Sequence, residues 1–170
     1  MPRVSVVMGS DSDLKVMSEA LTALESLDIS YEVVISSAHR TPQETGELAR
    51  SAPQRGIEVI IAGAGAAAHL AGSIAALTPL PVIGVPLSGS ALGGVDALYS
   101  TVQMPRGIPV ATVAVDGAHN AAVLAAQVIG VKDPEVRKKV EEYKEELGTK
   151  VKKRNEELQQ VGYRQYLQKK

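Results

Sequence analysis

Short apolar runs alternate with segments of helical spacing, and this alternation constrains the fold more than any other feature of the sequence. The runs lie at residues 4–8, 31–35, 57–62, 82–85 and 110–115. They are apolar throughout, which is typical of strands in a sheet that is covered on both faces. Strands that alternate with helices form right-handed βαβ units and a parallel sheet. The sequence therefore predicts a three-layer α/β domain, flavodoxin-like or Rossmann-like.

The segments between the runs carry the spacing and the end signals of helices. Residues 14–27 place apolar side chains at helical intervals, and Ser12 or Asp13 is a candidate N-cap for that helix. The next helix is expected to begin at Thr41-Pro42, where Glu44 completes a Thr-x-x-Glu capping box.

The C-terminal segment differs from the rest of the chain in composition. Residues 132–170 hold 12 of the 18 Lys and Arg residues, interleaved with Glu. Residues 135–160 predict a long charged helix whose apolar stripe is too narrow to form a core of its own. We therefore expect one domain over residues 1–170. It would consist of an α/β body, 1–131, and a charged helical extension, 132–170, that packs on the body or on a neighbouring subunit.

Alanine-rich segments favour an oligomer. Residues 64–76 and 121–126 are dense in alanine, and small side chains let helices approach closely. Asn120 is the expected cap of the second of these helices, which would run to about residue 129. His119 just before it is interpreted as a loop residue.

Composition excludes several classes of function. The chain has no cysteine, which rules out disulfides and thiolate chemistry. Six cations in residues 1–131 are too few for a nucleic-acid groove, and Tyr31 and Tyr99 are too few aromatic residues there for a stacking platform. No signal-peptide pattern or membrane-length apolar run is present, so a cytoplasmic location is expected. The expected ligand is a small molecule, not a membrane or a nucleic acid.

Three polar clusters follow predicted strands, at residues 9–13, 36–42 and 63–69. In an open parallel sheet, ligands bind beyond the carboxyl ends of the strands, so the clusters are expected to share one pocket. Each also has a structural interpretation: a capping turn without a ligand, a surface His-Arg pair, and a packed interior histidine.

The residue types in these clusters suit a small anion and proton transfer. Arg40 can bind an oxyanion through two hydrogen bonds. His39 carries an imidazole, whose ordinary pKa near ~6.5 suits proton transfer at neutral pH. Asp11 and Asp13 invite a Mg²⁺ site, but two acids at a helix start more often serve as cap and hydroxyl acceptor. No metal site is therefore expected at this turn.

Four segments resemble a known family. They are residues 9–13, 37–42 and 62–70 together with the sequence Val-Gln-Met-Pro-Arg-Gly-Ile-Pro-Val at 102–110. In this order and spacing they resemble the class I catalytic subunits of phosphoribosylaminoimidazole carboxylase, the N5-carboxyaminoimidazole ribonucleotide mutases of purine biosynthesis. The similarity covers essentially residues 3–131.

The resemblance implies a flavodoxin-like subunit in a homo-octamer that needs no metal, ATP or organic cofactor. It implies interconversion of N5-carboxyaminoimidazole ribonucleotide and 4-carboxy-5-aminoimidazole ribonucleotide, beside a possible ATP-dependent synthetase. His39 matches the residue that transfers protons. The matching substrate-binding residues fall into a phosphate and ribose group and a wall around the base and carboxylate. The first group is Ser10, Ser12, Asp13 and Arg40; the second is Ser37, Ala38, Gly63, Ala64, Gly65, Ala66 and His69.

The chain departs from the family pattern at four positions. Ala66 stands where the family usually has glycine and Ala71 where it has proline, while Leu14 and Ala97 replace a common Trp and Ser. These departures concern affinity and loop rigidity more than reaction type. Two alternatives stay open: a direct carboxylase that uses aminoimidazole ribonucleotide and CO₂, and a non-catalytic nucleotide- or flavin-binding domain. His69 favours the mutase class over the direct carboxylase.

Overall fold

The structure, a computed structural model, describes residues 1–169 and contains one parallel sheet of five strands. The strand order is β2-β1-β3-β4-β5, and every neighbouring pair is parallel. This is the flavodoxin-like order, so the predicted fold class is confirmed. The strands are β1 Val4–Met8, β2 Tyr31–Ile35, β3 Val59–Gly65, β4 Val82–Leu87 and β5 Ala111–Thr112.

Six α-helices within residues 1–169 cover the two faces of the sheet. They are α1 Leu14–Ser26, α2 Pro42–Ser51, α3 Leu70–Ala75, α4 Val95–Val102, α5 Ala118–Gly130 and α6 Pro134–Gln168. A 3₁₀ turn, Asp11–Asp13, precedes α1, and another, Pro53–Arg55, follows α2.

Strand β1 shows why the apolar runs do not alternate with polar residues. Val4, Val6 and Met8 lie in the core beneath α1 and α5, whereas Val7 lies in the core beneath α2 and α3. Both faces of the central strands are therefore buried. Ser5 is the one polar residue of β1, and its hydroxyl donates to Glu32 Oε1 at 2.7 Å.

Helix α6 begins on the body and then leaves it. Asp133 caps the helix by accepting from two backbone N–H groups, and Arg3 Nη1 lies 2.8 Å from its other carboxylate oxygen. Val136 and Val140 are buried against α5. Further along, Leu147 and Val151 are 44% and 64% exposed. The segment before the non-helical Gly162 is roughly 40 Å long, so the predicted long charged helix is confirmed.

The expected capping box at the start of α2 is wrong. Helix α2 does begin at Pro42, but the hydroxyl of Thr41 makes no cap bond. It accepts from the backbone N–H of Ser37 at 3.0 Å and donates to the Ser37 carbonyl at 3.1 Å. A side chain used to close the 37–41 turn is not available to the helix.

The start of α1 agrees with the prediction in position only: Asp13 stands at the N-cap of the helix, but its side chain makes no cap bond there, and Ser10 caps the 3₁₀ turn that precedes the helix. The Ser10 hydroxyl accepts from the Ser12 N–H, and the Asp13 carboxylate accepts from the Ser10 N–H at 3.1 Å. The chain therefore enters α1 through a 3₁₀ turn, which keeps Ser10 and Asp13 side by side.

Helix α5 starts earlier than predicted. It begins at Ala118, so Asn120 lies inside the helix and His119 is not a loop residue. The His119 Nε2 atom lies 2.7 Å from the hydroxyl of Tyr143 on α6. This contact between helices was not evident from the sequence, since 24 positions separate the two residues.

Candidate active site

The polar clusters meet in one cleft at the carboxyl ends of β1, β2, β3 and β4. The chain passes from β1 outward to β2 and then crosses back to β3 on the other side of β1. Such a switch point leaves a crevice between the loops that follow the strands. The cleft has a volume of about 550 Å³, within the range of small-molecule sites.

The cleft brings together eleven of the twelve residues that the sequence nominated. They are Ser10, Ser12, Asp13, Ser37, Ala38, His39, Arg40, Ala64, Gly65, Ala66 and His69. Gly63 lies outside the lining: it is buried in β3, and a Cβ there would collide with Met17 Sδ of α1. The lack of a side chain at Gly63 therefore lets α1 pack closely on the sheet.

The lining also includes Leu70 and Gly89, which the sequence analysis did not single out. Gly89 lies just beyond the end of β4, in the loop before α4. The loop follows a predicted strand, as the three polar clusters do. That position alone could have indicated a place beside the cleft, because the carboxyl ends of β1 to β4 border the same crevice.

Asp13 forms one wall of the cleft, and its partial burial disfavours the charged form of its carboxylate. Burial raises its pKa above the ordinary value, although the Ser10 N–H and the charge of Arg40 act in the opposite direction. A half-buried acceptor beside two serines is suited to sugar hydroxyls, which can donate to it without bringing a second negative charge.

Arg40 spans the cleft from the β2–α2 loop to the β1–α1 loop. Its Nη2 atom donates to the Gly9 carbonyl at 2.6 Å, and its Nε atom lies 3.3 Å from Ser37 Oγ. These two contacts hold an exposed guanidinium beside Ser10 and Ser12, so cationic and hydroxyl donors converge as a phosphate requires.

His39 and His69 face each other across the cleft. His39 Nε2 lies 2.8 Å from His69 Nδ1, and the two rings stand nearly perpendicular at 87°. Such a contact needs one nitrogen to donate and the other to accept, and the tautomers of the two rings decide which does which. His39 follows β2 and His69 precedes α3, so the fold brings together two imidazoles that are 30 positions apart.

The β3–α3 loop reaches the cleft through an unusual backbone conformation. Ala66 has a φ of +50°, in the left-handed region that alanine rarely adopts. Its carbonyl accepts from the Ala68 N–H at 2.9 Å, and the Ala67 carbonyl accepts from the His69 N–H at 2.9 Å. This tight loop sets the position from which His69 reaches His39. Strained backbone of this kind is concentrated at functional sites.

The AIR carboxylase family model matches residues 3–150 of the chain. The chain belongs to this family. The match spans the whole sheet, all three polar clusters and the first turns of α6. Membership of the AIR carboxylase family thus confirms the resemblance found in the sequence.

Several individual relatives support this assignment. An N5-carboxyaminoimidazole ribonucleotide mutase of Thermotoga maritima is 56% identical over 170 residues, covering 100% of this chain and 99% of that protein. A protein of the same name from Pyrococcus horikoshii is 55% identical over 166 residues, covering 98% of this chain and 94% of that protein. The crystal structure of Treponema denticola PurE matches 96% of this chain and 100% of its own, with a TM-score of 0.82 and 27% identity.

Longer proteins contain a similar segment. A phosphoribosylaminoimidazole carboxylase of Saccharomyces cerevisiae is 52% identical over 169 residues, which cover 99% of this chain but only 30% of the yeast protein. The remainder of that AIR carboxylase relative has no counterpart in this chain.

The described residues offer the cleft hydrogen-bond donors, one carboxylate and one imidazole pair. Residues 1–169 hold no group of three or more His, Asp or Glu side chains placed to bind a metal ion. None of the helices within that range has the length and apolar character needed to cross a bilayer. The arrangement can bind a small anion and move one proton at a time.

Proposed function

We infer that this chain is an N5-carboxyaminoimidazole ribonucleotide mutase, which moves a carboxyl group from the exocyclic nitrogen to C4 of an aminoimidazole ribonucleotide. The observation that carries this inference is the 54–56% identity, over at least 98% of the chain, to proteins of that name. The geometry of the cleft supports it, because it supplies anion donors and a proton-transfer group side by side.

In this proposal the substrate phosphate is bound by Arg40, Ser10 and Ser12. A ribose hydroxyl donates to Asp13. The support is the convergence of guanidinium and hydroxyl groups at one end of the cleft, with the half-buried carboxylate next to them. The imidazole base and its carboxylate then lie toward Ser37, Ala38 and the 63–68 loop, where small residues let the backbone approach a planar ring.

The first chemical step is decarboxylation assisted by His39. Protonated His39 gives a proton to the exocyclic nitrogen of the carbamate. The bond between this nitrogen and the carboxyl carbon breaks, its electron pair remains on nitrogen, and CO₂ is released. The products in the cleft are aminoimidazole ribonucleotide, CO₂ and neutral His39.

The second step recaptures CO₂ at carbon. C4 of the aminoimidazole attacks CO₂ and forms the new carbon–carbon bond. Neutral His39 then removes the C4 proton, which restores the aromatic ring and the protonated imidazole. One proton therefore leaves and returns to the same residue, and the net reaction is an isomerisation. The cleft contributes proximity and protection from water while CO₂ is free.

His69 orients His39 in this proposal. The 2.8 Å contact between the two rings holds His39 Nε2 beside His69 Nδ1 and so fixes the orientation of the His39 ring. His69 is held in turn by the tight 66–69 loop, in which its backbone N–H donates to the Ala67 carbonyl.

Turnover of the labile carbamate itself tests the proposal. The purified chain is mixed with freshly prepared N5-carboxyaminoimidazole ribonucleotide, without bicarbonate or ATP, and the C4-carboxylate is followed by NMR. We expect rapid conversion by the parent and a loss of at least about 100-fold in His39→Asn, since general acid–base catalysis contributes that much. The matched control is His119→Asn, which removes an imidazole outside the cleft and should retain parental turnover.

A second candidate is a direct carboxylase. It is favoured by the name of the fungal relatives, phosphoribosylaminoimidazole carboxylase, which are 51–61% identical. That name describes proteins of which this chain spans 24–30%. Product from aminoimidazole ribonucleotide and bicarbonate, with none from the carbamate, would replace the mutase proposal with this one. A yellow purified protein would instead point to the flavin-binding alternative.

The proposal includes partners and location. We propose a homo-oligomer, an octamer by the family resemblance, that works in the cytoplasm beside an ATP-dependent synthetase able to supply the unstable carbamate. Support for assembly comes from exposed apolar side chains on three elements: Ile35 at the sheet edge, Tyr99 and Val102 on α4, and Leu147 and Val151 on α6. In this view residues 1–170 act as one domain, with the extension contacting neighbouring subunits. Light scattering of the purified chain tests this directly.

A further inference from the structure

The loop between β4 and α4 contributes Gly89 to the cleft, and this loop is held by carboxylates on both sides of Gly89. Ser88 donates its backbone N–H to Asp116 Oδ1 at 2.9 Å. Ser90 donates its hydroxyl to Asp96 Oδ1 at 2.7 Å. A Cβ built on Gly89 would meet no atom within 4 Å, so Gly89 borders open space.

Asp116 reaches Ser88 from a different part of the chain. It lies in the turn between β5 and α5, where the Gly117 N–H donates to the Ala114 carbonyl at 2.9 Å. The backbone N–H of Asp116 donates to the Pro86 carbonyl at 2.9 Å. Asp116 thus makes two hydrogen bonds at the end of β4: its backbone N–H donates to Pro86, and its carboxylate accepts from Ser88.

The conformation of Asp116 is costly by itself. Its φ is +57°, in the left-handed region where glycine or asparagine is the usual choice for a turn. An aspartate there gives up some backbone stability. The local contact that it provides in return is the acceptor for the Ser88 N–H.

The end of the loop packs against the turn that carries Asp116. Gly94 closes the loop with a φ of +88°, and a Cβ there would lie 2.5 Å from Val115 Cγ1 and 3.1 Å from Ser88 Cα. The residue before Asp116 therefore packs on the loop that Asp116 holds. The turn at 114–117 and the loop at 88–94 form one unit.

We propose that Asp116 is a positioning residue for the reaction: by accepting from Ser88 it holds Gly89 against the cleft, and it contributes to substrate binding through that loop without touching the substrate. The proposal rests on the proposed function in its kinetic part only. Its structural part, the restraint of residues 88–90 by the carboxylate, stands apart from what the enzyme acts on.

Three variants separate this role from a general effect on folding. Asp116→Gly keeps the left-handed backbone and removes the acceptor. Asp116→Asn tolerates the same backbone and keeps an oxygen acceptor. Asp28→Gly is the matched control, because Asp28 also has a positive φ, of 54°, and a carboxylate contact, to Lys139. Asp28 lies in the turn between α1 and β2, at the end of the sheet opposite to the cleft.

The experiment measures kcat and KM for the mutase reaction and, separately, amide hydrogen exchange of residues 88–90. For Asp116→Gly we expect KM to rise roughly tenfold, as for a backbone N–H that loses its acceptor, with kcat within about twofold of the parent. Exchange at 88–90 should accelerate in the same variant. Asp116→Asn and Asp28→Gly should match the parent in both measurements.

Several outcomes would overturn the proposal. They are unchanged exchange at 88–90 in Asp116→Gly, faster exchange without a change in KM, or an equal defect in Asp116→Asn. If the parent itself fails to convert the carbamate, the proposed function fails, while the exchange data still decide whether the carboxylate restrains the loop.

Discussion

Single residues set the chemistry of the cleft through their placement rather than through unusual residue types. His39 Nε2 lies 2.8 Å from His69 Nδ1, Arg40 donates to the Gly9 carbonyl, and Asp13 accepts from the Ser10 N–H. Each side chain is held by a neighbour from another loop or by its own turn. An active site built in this way loses little entropy when a ligand binds, because its groups are already in position.

Ala66 provides a test at the scale of one residue. Its φ of +50° suits glycine, so Ala66→Gly should raise the free energy of unfolding by about 1 kcal/mol, or the melting temperature by about 2–4 °C. The matched control is Ala67→Gly at the next position, which lacks a positive φ and should be neutral or destabilising. Thermal unfolding measures both. A lower melting temperature in Ala66→Gly would show that the left-handed conformation carries no strain.

The residue scale also shows what the sequence can and cannot predict about the site. Eleven nominated residues line the cleft because strand ends of a parallel sheet meet at one edge, which follows from patterning. The contact between His39 and His69 and the role of Gly63 depend on loop paths and on how α1 packs, and no local pattern encodes these. The sequence nominates Gly63 because it opens the 63–69 cluster and matches the family's wall around the base.

At the scale of elements, the sheet and its helices follow from the apolar runs, whereas helix ends depend on competing contacts. Strands β1 and β2 have the predicted bounds, and β4 begins at the predicted residue, Val82, but continues to Leu87. The run at 57–62 yields a strand that starts at Val59, and the run at 110–115 yields only Ala111–Thr112. Of the run at 110–115, only Ala111 and Thr112 pair with β4, opposite Ile83 and Gly84. The apolar run continues beyond these pairs, so its length overestimates the strand.

The packing of α1 on β3 gives a prediction at this scale. Gly63→Ala should destabilise the protein by about 1–3 kcal/mol, because the new methyl group would overlap Met17 Sδ in a fully packed core. Met17→Ala removes the side chain that the new methyl group would overlap. The double variant should therefore lose less stability than the sum of the two single losses. Denaturant unfolding of the two single variants and the double variant measures the coupling. Strictly additive losses would contradict the assigned contact.

At the scale of the whole molecule, stability depends on carboxylates that join distant segments. Glu32 on β2 accepts from Arg55 Nη1 at 2.6 Å through both oxygens and from Ser5. Burial opposes its ionisation, but the hydrogen bonds and charge of Arg55 outweigh that effect and lower the pKa of Glu32. Arg3 similarly joins Glu58 and Asp133, at the start of α6.

The lowered pKa of Glu32 predicts how global stability responds to acid. A carboxylate whose folded pKa lies below its unfolded value stabilises the fold above the unfolded pKa and loses this contribution as pH falls. Melting temperature should therefore decline below about pH 4.5. Arg55→Gln should lower it at pH 7 by about 2–4 °C, for a screened pair near 1 kcal/mol, and make the acid decline shallower. Arg50→Gln on α2 is the control, and identical profiles for both variants would contradict the account.

The apolar stripe of α6 shows what the sequence of a single chain cannot predict about packing. The stripe on α6 predicts packing, and its first part is buried on α5 as Val136 and Val140 show. Its continuation through Leu147 and Val151 is exposed in the single chain. In the proposed oligomer a neighbouring subunit would cover these side chains, and periodicity alone does not say which surface of that subunit would do so.

The most direct test of the central claim follows the fate of the carboxyl carbon. N5-carboxyaminoimidazole ribonucleotide labelled with ¹³C in its carbamate is incubated with the purified chain in excess unlabelled bicarbonate, and the product carboxylate is analysed by ¹³C NMR. The account predicts that most of the label is retained at the C4 carboxylate, because CO₂ stays in the cleft between the two steps. Product that carries the unlabelled carbon of bicarbonate would contradict it and show a direct carboxylase.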